Sequence, residues 1–255
     1  MIDSRKEQIK TSIYKLASIA FWICLWELAS RAWNQSLLLP APSGVLISLF
    51  TLSLQESFWR IIFTSFIKIL IGFISGIILG VVFAVLSYVS RIFYELMDPL
   101  IKIIKATPVA SFIILALIWI NSSYLSVLIS FLMVLPIFYT NVLQGLQSTD
   151  EKLLDMAKVY RLSKRKKVKA IYFPETIGHF ISAVSVGLGF SFKSGIAAEV
   201  IGKPASSIGG RLYEAKLYFM TEEMFAWTIV IVIISVIFEK LVMKIISMVY
   251  HGRGI

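Results

Sequence analysis

The sequence predicts an all-α integral membrane protein with six transmembrane helices, and three observations carry that prediction. Hydrophobic residues make up 58% of the 255 residues and charged residues only 16%, against roughly 45–50% and about 25% in an ordinary soluble domain. Apolar runs of membrane-spanning length recur along the chain, separated by polar stretches. Lys and Arg gather on alternate connections between those runs. This composition excludes a soluble globular enzyme, a disordered chain and a disulfide scaffold. Cys24 is the one cysteine, so no internal disulfide forms, and it reads as a small buried hydrophobe.

The chain is read as a single transmembrane domain over residues 1–255. A basic, polar start leads into a first span at about 16–32, interrupted by Glu27 and read as an uncleaved helix because further apolar runs follow. Leu39-Pro-Ala-Pro-Ser-Gly44 is turn-like, and Ser43 is a candidate cap for a short surface helix behind it. The second span, about 65–89, has Lys68 as its only charge. Gly72, Gly76, Gly80 and Ala84 recur at every fourth position there, which puts them on one helix face where another backbone can approach closely. No charged residue occurs between Ala106 and Thr149, a stretch too long for one span. It is read as a hairpin of spans at about 101–120 and 124–146, turning at Asn121-Ser122-Ser123, with kinks or breaks at Pro108 and Pro136. The fifth span, about 177–200, carries Lys193 and Glu199 and a second small-residue stripe of Ala183, Gly187, Ser191 and Gly195. Residues 201–223, with Pro204 and Gly209-Gly210, are read as a loop, and the sixth span as about 224–248.

Orientation follows from the basic residues. Eighteen Lys and Arg lie on the connections that share a side with the N-terminus, eight of them between 147 and 175, and five lie on the opposite set. The positive-inside rule then places both termini and the 147–175 loop in the cytoplasm. The net charge of +10 is accounted for in this way, and no nucleic-acid motif accompanies it.

The 147–175 loop is the most polar part of the chain. Leu153, Ala157 and Tyr160 fall at helical spacing, and Asp150, Glu151 and Asp155 come early, where they suit the helix dipole. A first amphipathic helix is therefore expected over 151–160, a turn at Arg161-Leu162, Ser163 as the cap of a second helix, and Pro174 at the entrance to the fifth span.

At this loop the chain resembles the membrane subunits of binding-protein-dependent ABC importers. Their signature, Glu-Ala-Ala-x3-Gly-x9-Ile-x-Leu-Pro, falls in register on Asp155-Met156-Ala157, Arg161, Ile171, Phe173 and Pro174. Met156 and Arg161 are the larger departures; the family glycine closes the first helix with a positive φ, where another residue costs on the order of 1 kcal/mol. Leu39-Pro-Ala-Pro42 and Lys193-Ser-Gly-Ile-Ala-Ala-Glu-Val-Ile-Gly202 are similar to the nitrate, sulfonate and taurine subgroup.

The resemblance implies a type I importer permease fold. It implies an inner or plasma membrane location and a permease subunit rather than an enzyme. Two copies, a homodimer, would form the pathway, among membrane lipid. A substrate-binding protein would deliver cargo outside, a small organic anion such as a sulfonate or else a vitamin precursor. A separate cytoplasmic ATPase would receive the loop through Asp155, Met156, Ala157, Tyr160, Arg161, Ser163, Ile171 and Pro174. No phosphate-binding Gly-x4-Gly-Lys-Ser/Thr loop is present in the sequence, so ATP and Mg are expected on that partner and no cofactor on this chain.

Lys193, Ser194 and Glu199 are candidates for the translocation path, because charges in a bilayer usually face a cavity or a partner. Lys193 in an ion pair with Glu27, or reaching the interface, and Glu199 at the water boundary are the competing structural readings. Glu175 and His179 are i,i+4 neighbours, but two ligands are too few for a metal site. Asn34-Gln-Ser and Asn121-Ser-Ser match the glycosylation pattern, which is short and carries little weight. A secondary transporter or channel is the alternative function; it calls for inverted repeats, broken helices or several intramembrane acids, and would leave the large polar loop unexplained. An intramembrane enzyme calls for clustered acids. The sequence offers neither.

Overall fold

In a computed structural model, which describes residues 2–33, 35 and 37–251, every regular element is helical. The order is α1 (Ile2–Trp33), α2 (Pro42–Ser53), α3 (Glu56–Val89), α4 (Arg91–Ala106), α5 (Val109–Ala116), α6 (Leu125–Gln147), α7 (Glu151–Val159), α8 (Lys164–Lys167), α9 (Phe173–Gly202), α10 (Ile208–Leu217) and α11 (Thr221–His251). A 3-10 turn, Ser122–Tyr124, precedes α6, and a π-helical turn, Val168–Tyr172, joins α8 to α9. Asn34, Ser36 and Arg253 lie outside the described residues.

Three described helices are long and apolar enough to cross a membrane: Glu56–Val89, Ser122–Gln147 and Lys164–Gly202. They coincide with the second, fourth and fifth predicted spans. The first and sixth predicted spans fall within α1 and α11, continuous helices of 32 and 31 residues.

Over the third predicted span, about 101–120, the helix breaks at the expected Pro108: α4 and α5 meet at a bend of 101°. Pro108 forces this: it biases the preceding residue to extended backbone, and Thr107 sits at φ −79°, ψ 128°. On α4 Ile101 and Ile104 are buried, while Arg91 pairs with Glu95 (3.0 Å) and Lys102 with Asp98 (2.6 Å) along the outer face. Pro136 lies inside α6 without ending it.

Residues 201–223 are not simply a loop, since they contain α10. Gly209 and Gly210 fall in its first turn for want of space. A Cβ on Gly209 would press on Glu199 Cβ and stand 2.5 Å from the Val200 nitrogen, and one on Gly210 would press on the Pro204 carbonyl.

The chain forms two compact units. One comprises the residues up to Arg60 with Arg211–Val230. It is held by aromatic contacts, Phe58 on Trp227 at 5.0 Å and Trp26 on Phe225 at 5.6 Å between ring centroids. Trp26 Nε1 donates to the Pro40 carbonyl at 3.1 Å. Here α2 begins at Pro42 behind Ala41, so Ser43 is not its cap; the Ser43 N–H and hydroxyl instead face Glu27, at 3.4 and 3.3 Å. Cys24 is exposed, contrary to the buried reading.

The other unit comprises Ile61–Gly210 and the residues from Ile231 on. Its core surrounds α6. One cluster packs Leu135, Tyr139, Val142 and Leu143 against Ala84 and Ile101. A second packs Val134 and Phe138 against Phe73, Ala183, Val184 and Leu188.

The two small-residue stripes explain how the helices come so close. A Cβ on Gly76 would lie 2.8 Å from Val134 Cβ, and one on Gly80 would lie 2.8 Å from the Leu135 carbonyl oxygen. One on Gly72 would press on the Val127 carbonyl. The partner of the α3 stripe is therefore α6. The α9 stripe meets the same helix: a Cβ on Gly195 would lie 2.6 Å from Ser130 Oγ, and one on Gly187 would lie 3.1 Å from the Phe138 ring. Ser130 Oγ adds a hydrogen bond to the Ser191 carbonyl at 3.0 Å.

Candidate functional site

The 147–175 loop is built from local signals. Asp150 caps α7, its carboxylate accepting from the Lys152 N–H at 2.9 Å. Lys158 sits in the last turn, where the dipole favours a cation, and pairs with Asp155 at 2.8 Å. That hydrogen-bonded carboxylate holds the Lys158 ammonium above the ordinary lysine range.

The far end of α7 closes on Arg161, whose φ is +49°. The Leu162 N–H donates to the Ala157 carbonyl at 2.9 Å and the Arg161 N–H to the Lys158 carbonyl at 3.0 Å. These are the paired bonds of a Schellman turn, whose left-handed residue is usually glycine. The chain thus keeps the backbone expected of the signature glycine with an arginine in its place. Arg161→Gly should stabilise the protein by about 1 kcal/mol by removing the left-handed penalty. A thermal-unfolding comparison in detergent checks this, and a lowered midpoint would contradict it.

The faces of α7 differ from the expectation. Ala157 is 2% exposed and packs within the chain, so it is not available to a cleft on another protein. Leu153 and Leu154 are half-buried beside it. The outward apolar side chains are Met156, Val159 and Tyr160, at 55%, 78% and 73% exposure. Of the three residues grouped by helical spacing, Leu153 and Ala157 turn inward, whereas Tyr160 stands at the C-cap, beyond the last helical residue Val159, and stays exposed with Met156 and Val159.

The second loop helix is also corrected. Ser163 stands at the N-cap position of α8 but makes no side-chain cap bond. The helix does not stop at Pro174; α8, the π turn and α9 run on as 39 continuous helical residues from Lys164 to Gly202. Ile171 is buried and Pro174 exposed. The loop is therefore an extension of a helix long and apolar enough to cross a membrane, turned back through Leu162 into α7.

On α9 the three path candidates separate. Lys193 is exposed, on the same face as the exposed Val186 and Phe190. Ser194 is buried and its hydroxyl returns to its own helix, donating to the Phe190 carbonyl at 2.7 Å. Glu199 is fully buried rather than at the water boundary. Its Oε2 accepts from Ser65 Oγ at 2.8 Å and from the Gly209 N–H at 3.2 Å. Ser65 Oγ in turn accepts from the Ile208 N–H at 2.9 Å, and Ser207 Oγ from the Gly210 N–H at 2.9 Å. Three N–H groups that open α10 and have no partner within the helix are thus satisfied by Ser65, Glu199 and Ser207. The carboxylate also favours the positive end of that helix. Glu199 is an anchor for α3, α9 and α10. Glu27, the suggested partner of Lys193, is paired with Arg31 at 2.8 Å. Among the described residues no group of three or more metal-ligating side chains occurs, and Glu175 and His179 stand without a third ligand.

The chain has known relatives by sequence. The chain is 28% identical over 226 residues to a putative aliphatic sulfonates transport permease of Escherichia coli, covering 88% of this chain and 82% of the relative. It is 23% identical over 239 residues to the Escherichia coli taurine transport system permease, covering 91% and 86%. It is 22% identical over 242 residues to a nitrate import permease of Synechocystis, covering 91% and 87%. The family model described as the inner membrane component of binding-protein-dependent transport systems matches residues 76–249. The signature spacing on the loop, the apolar helices and this match agree: the chain belongs to the family of inner membrane permease components of binding-protein-dependent ABC importers, and is a multi-pass membrane transport component rather than an enzyme.

Proposed function

We propose that this chain is the permease subunit of an ATP-driven importer, with six spans, both termini in the cytoplasm, and the 147–175 loop docked on a separate ATPase subunit. The observation that carries the reading is the exposed trio Met156, Val159 and Tyr160 on a helix capped at both ends and joined to a 39-residue membrane helix. These apolar side chains stand exposed among the charges of the most polar stretch of the chain, and a cleft on a partner would remove them from solvent. The rigid continuation into α9 lets displacement of the loop reach the membrane part. Asp155 and Arg161 shape the loop, Ser163 stands where its second helix starts, and Ile171 and Pro174 join it to the span.

Two copies enclose the pathway, and Lys193, exposed on a membrane helix, faces that pathway rather than lipid, where a cation is costly. The cargo is a small organic anion of the sulfonate kind, which a lysine favours and which the names of the relatives suggest. A binding protein delivers it from outside. ATP and Mg belong to the ATPase, and this chain holds no cofactor.

Accessibility labelling of single cysteines, with Cys24 replaced, tests the arrangement. Positions in 147–175 should react only after the membrane is opened, and positions in 201–223 in intact cells. Labelling of 147–175 from outside would reject the topology and with it the docking surface.

A further inference from the structure

The 39-residue helix changes its winding once. Lys164–Lys167 is α-helical, Val168–Tyr172 is π-helical, and the Phe173 N–H donates to the Val168 carbonyl five residues back. Pro174 supplies the reason. It has no N–H to donate, and its ring would collide with the carbonyl four residues earlier, that of Ala170, if the turn were α-helical. A wider turn moves that carbonyl aside. The helix is thus least regular at the junction between the loop and the membrane part.

Tyr172 ends this wide turn, half-buried. Its ring meets that of Tyr88 edge-on, with centroids 5.6 Å apart and planes at 74°. The Tyr88 hydroxyl donates to the Tyr172 hydroxyl at 3.3 Å. Tyr88 is the penultimate residue of α3, and Ser90 just beyond it caps α4 by accepting from the Phe93 N–H at 3.3 Å. Its neighbour Ser87 lies 3.0 Å from the Tyr139 hydroxyl on α6, a buried pair. Both tyrosine rings also pack on the core cluster formed by Leu135, Tyr139, Val142 and Leu143. A hydroxyl pair therefore links the irregular turn to the corner between α3 and α4. The Ser87–Tyr139 bond is buried and fixed. The Tyr88–Tyr172 bond is longer and half-exposed, so it can open without stranding either hydroxyl.

We infer that Tyr88 and Tyr172 are positioning residues for coupling: their hydroxyl contact holds the π turn in one setting and passes movement of the loop to the α3–α4 corner. The inference rests on the importer reading. The turn is the least regular stretch of the helix, and the tyrosine bond braces it against the α3–α4 corner. Without that bond the turn yields, and displacement of the loop is absorbed there.

The test uses the permease with its ATPase and binding protein in proteoliposomes, measuring bound ATPase, ATP hydrolysis and cargo moved. Tyr88→Phe and Tyr172→Phe keep the rings and remove one hydroxyl each. Each should retain a full complement of ATPase and continue to hydrolyse ATP, while cargo moved per ATP falls about fivefold, the factor that one ordinary hydrogen bond controls. The double variant should be no worse than either single one, because both remove the same bond. Pro174→Ala restores an N–H and lets the turn rewind; it should lower cargo per ATP with both tyrosines in place. Unchanged cargo per ATP in both single variants, or losses that multiply in the double variant, would overturn the inference, as would Phe variants that shed the ATPase. Wild-type transport with no ATPase bound would overturn the importer reading itself, and this inference with it.

Discussion

Gly76→Leu should largely abolish recovery of folded protein from the membrane, while Ile78→Leu on the exposed side of the same helix should be nearly silent. A Cβ at Gly76 would stand 2.8 Å from Val134 Cβ and 3.2 Å from the Leu135 backbone nitrogen. The second of these neighbours is main chain and cannot rotate away, so α3 and α6 must separate. Neither helix can shift alone, because the α6 residues Ser130 and Phe138 are also held close to Gly195 and Gly187 of α9. Overpacking of this kind costs about 3 kcal/mol or more when backbone must move. Ile78 is 56% exposed, and a leucine there changes only branching. Monodisperse yield in detergent for the two variants decides the matter. Equal yields would mean that the stripe is incidental to the packing.

Glu199→Ala should have the second large effect. The carboxylate is wholly buried and accepts from Ser65 Oγ and the Gly209 N–H through one oxygen. Its removal leaves two donors unpaired, at roughly 1–3 kcal/mol each, and takes away the anchor at the opening of α10. Glu199→Gln keeps an acceptor oxygen and should lose less than half as much. The measurement is the thermal midpoint of each variant in the same detergent. A Gln variant as damaged as the Ala variant would show that the negative charge matters more than the acceptor, and an undamaged Ala variant would remove Glu199 from the framework.

These positions also mark how far local reasoning from a sequence reaches. Long apolar helices follow from hydrophobicity alone, so three helices long and apolar enough to cross a membrane lie over the second, fourth and fifth apolar runs. The small-residue period at 72, 76 and 80 announces a close helix contact, but nothing in a single sequence says that Val134 and Leu135 are the other side of it. The break at Pro108 is legible as a local rule, whereas the 101° turn it permits depends on what α4 and α5 pack against. In the loop, helical spacing groups Leu153, Ala157 and Tyr160 on one apolar face, of which Ala157 turns inward and Tyr160 stays exposed. The same spacing cannot tell which of them meets the chain itself and which a partner. Gly209-Gly210 reads as a loop because glycine usually marks one; here the pair opens a helix that lies too close to Glu199 and Pro204 for any side chain. Glu199 reads as a path residue because charges in membranes so often are. Its partner Ser65 lies 134 residues away in sequence, beyond the reach of local reasoning.

In the proposed function the exposed face of α7 is seated on an ATPase. Met156→Asp and Tyr160→Asp place a charge where that cleft would enclose it, while both sites are open to solvent in the isolated chain. Folding of the chain should be untouched, and an unpaired charge would be buried only on docking. Co-purification of the ATPase with each variant, set beside Lys164→Gln on the exposed basic side of the loop, is the most direct measurement. Both aspartate variants should lose nearly all ATPase and uptake with normal membrane insertion, and Lys164→Gln should keep a near-normal complement. A full complement of ATPase with normal uptake in Met156→Asp and Tyr160→Asp would contradict the proposed docking.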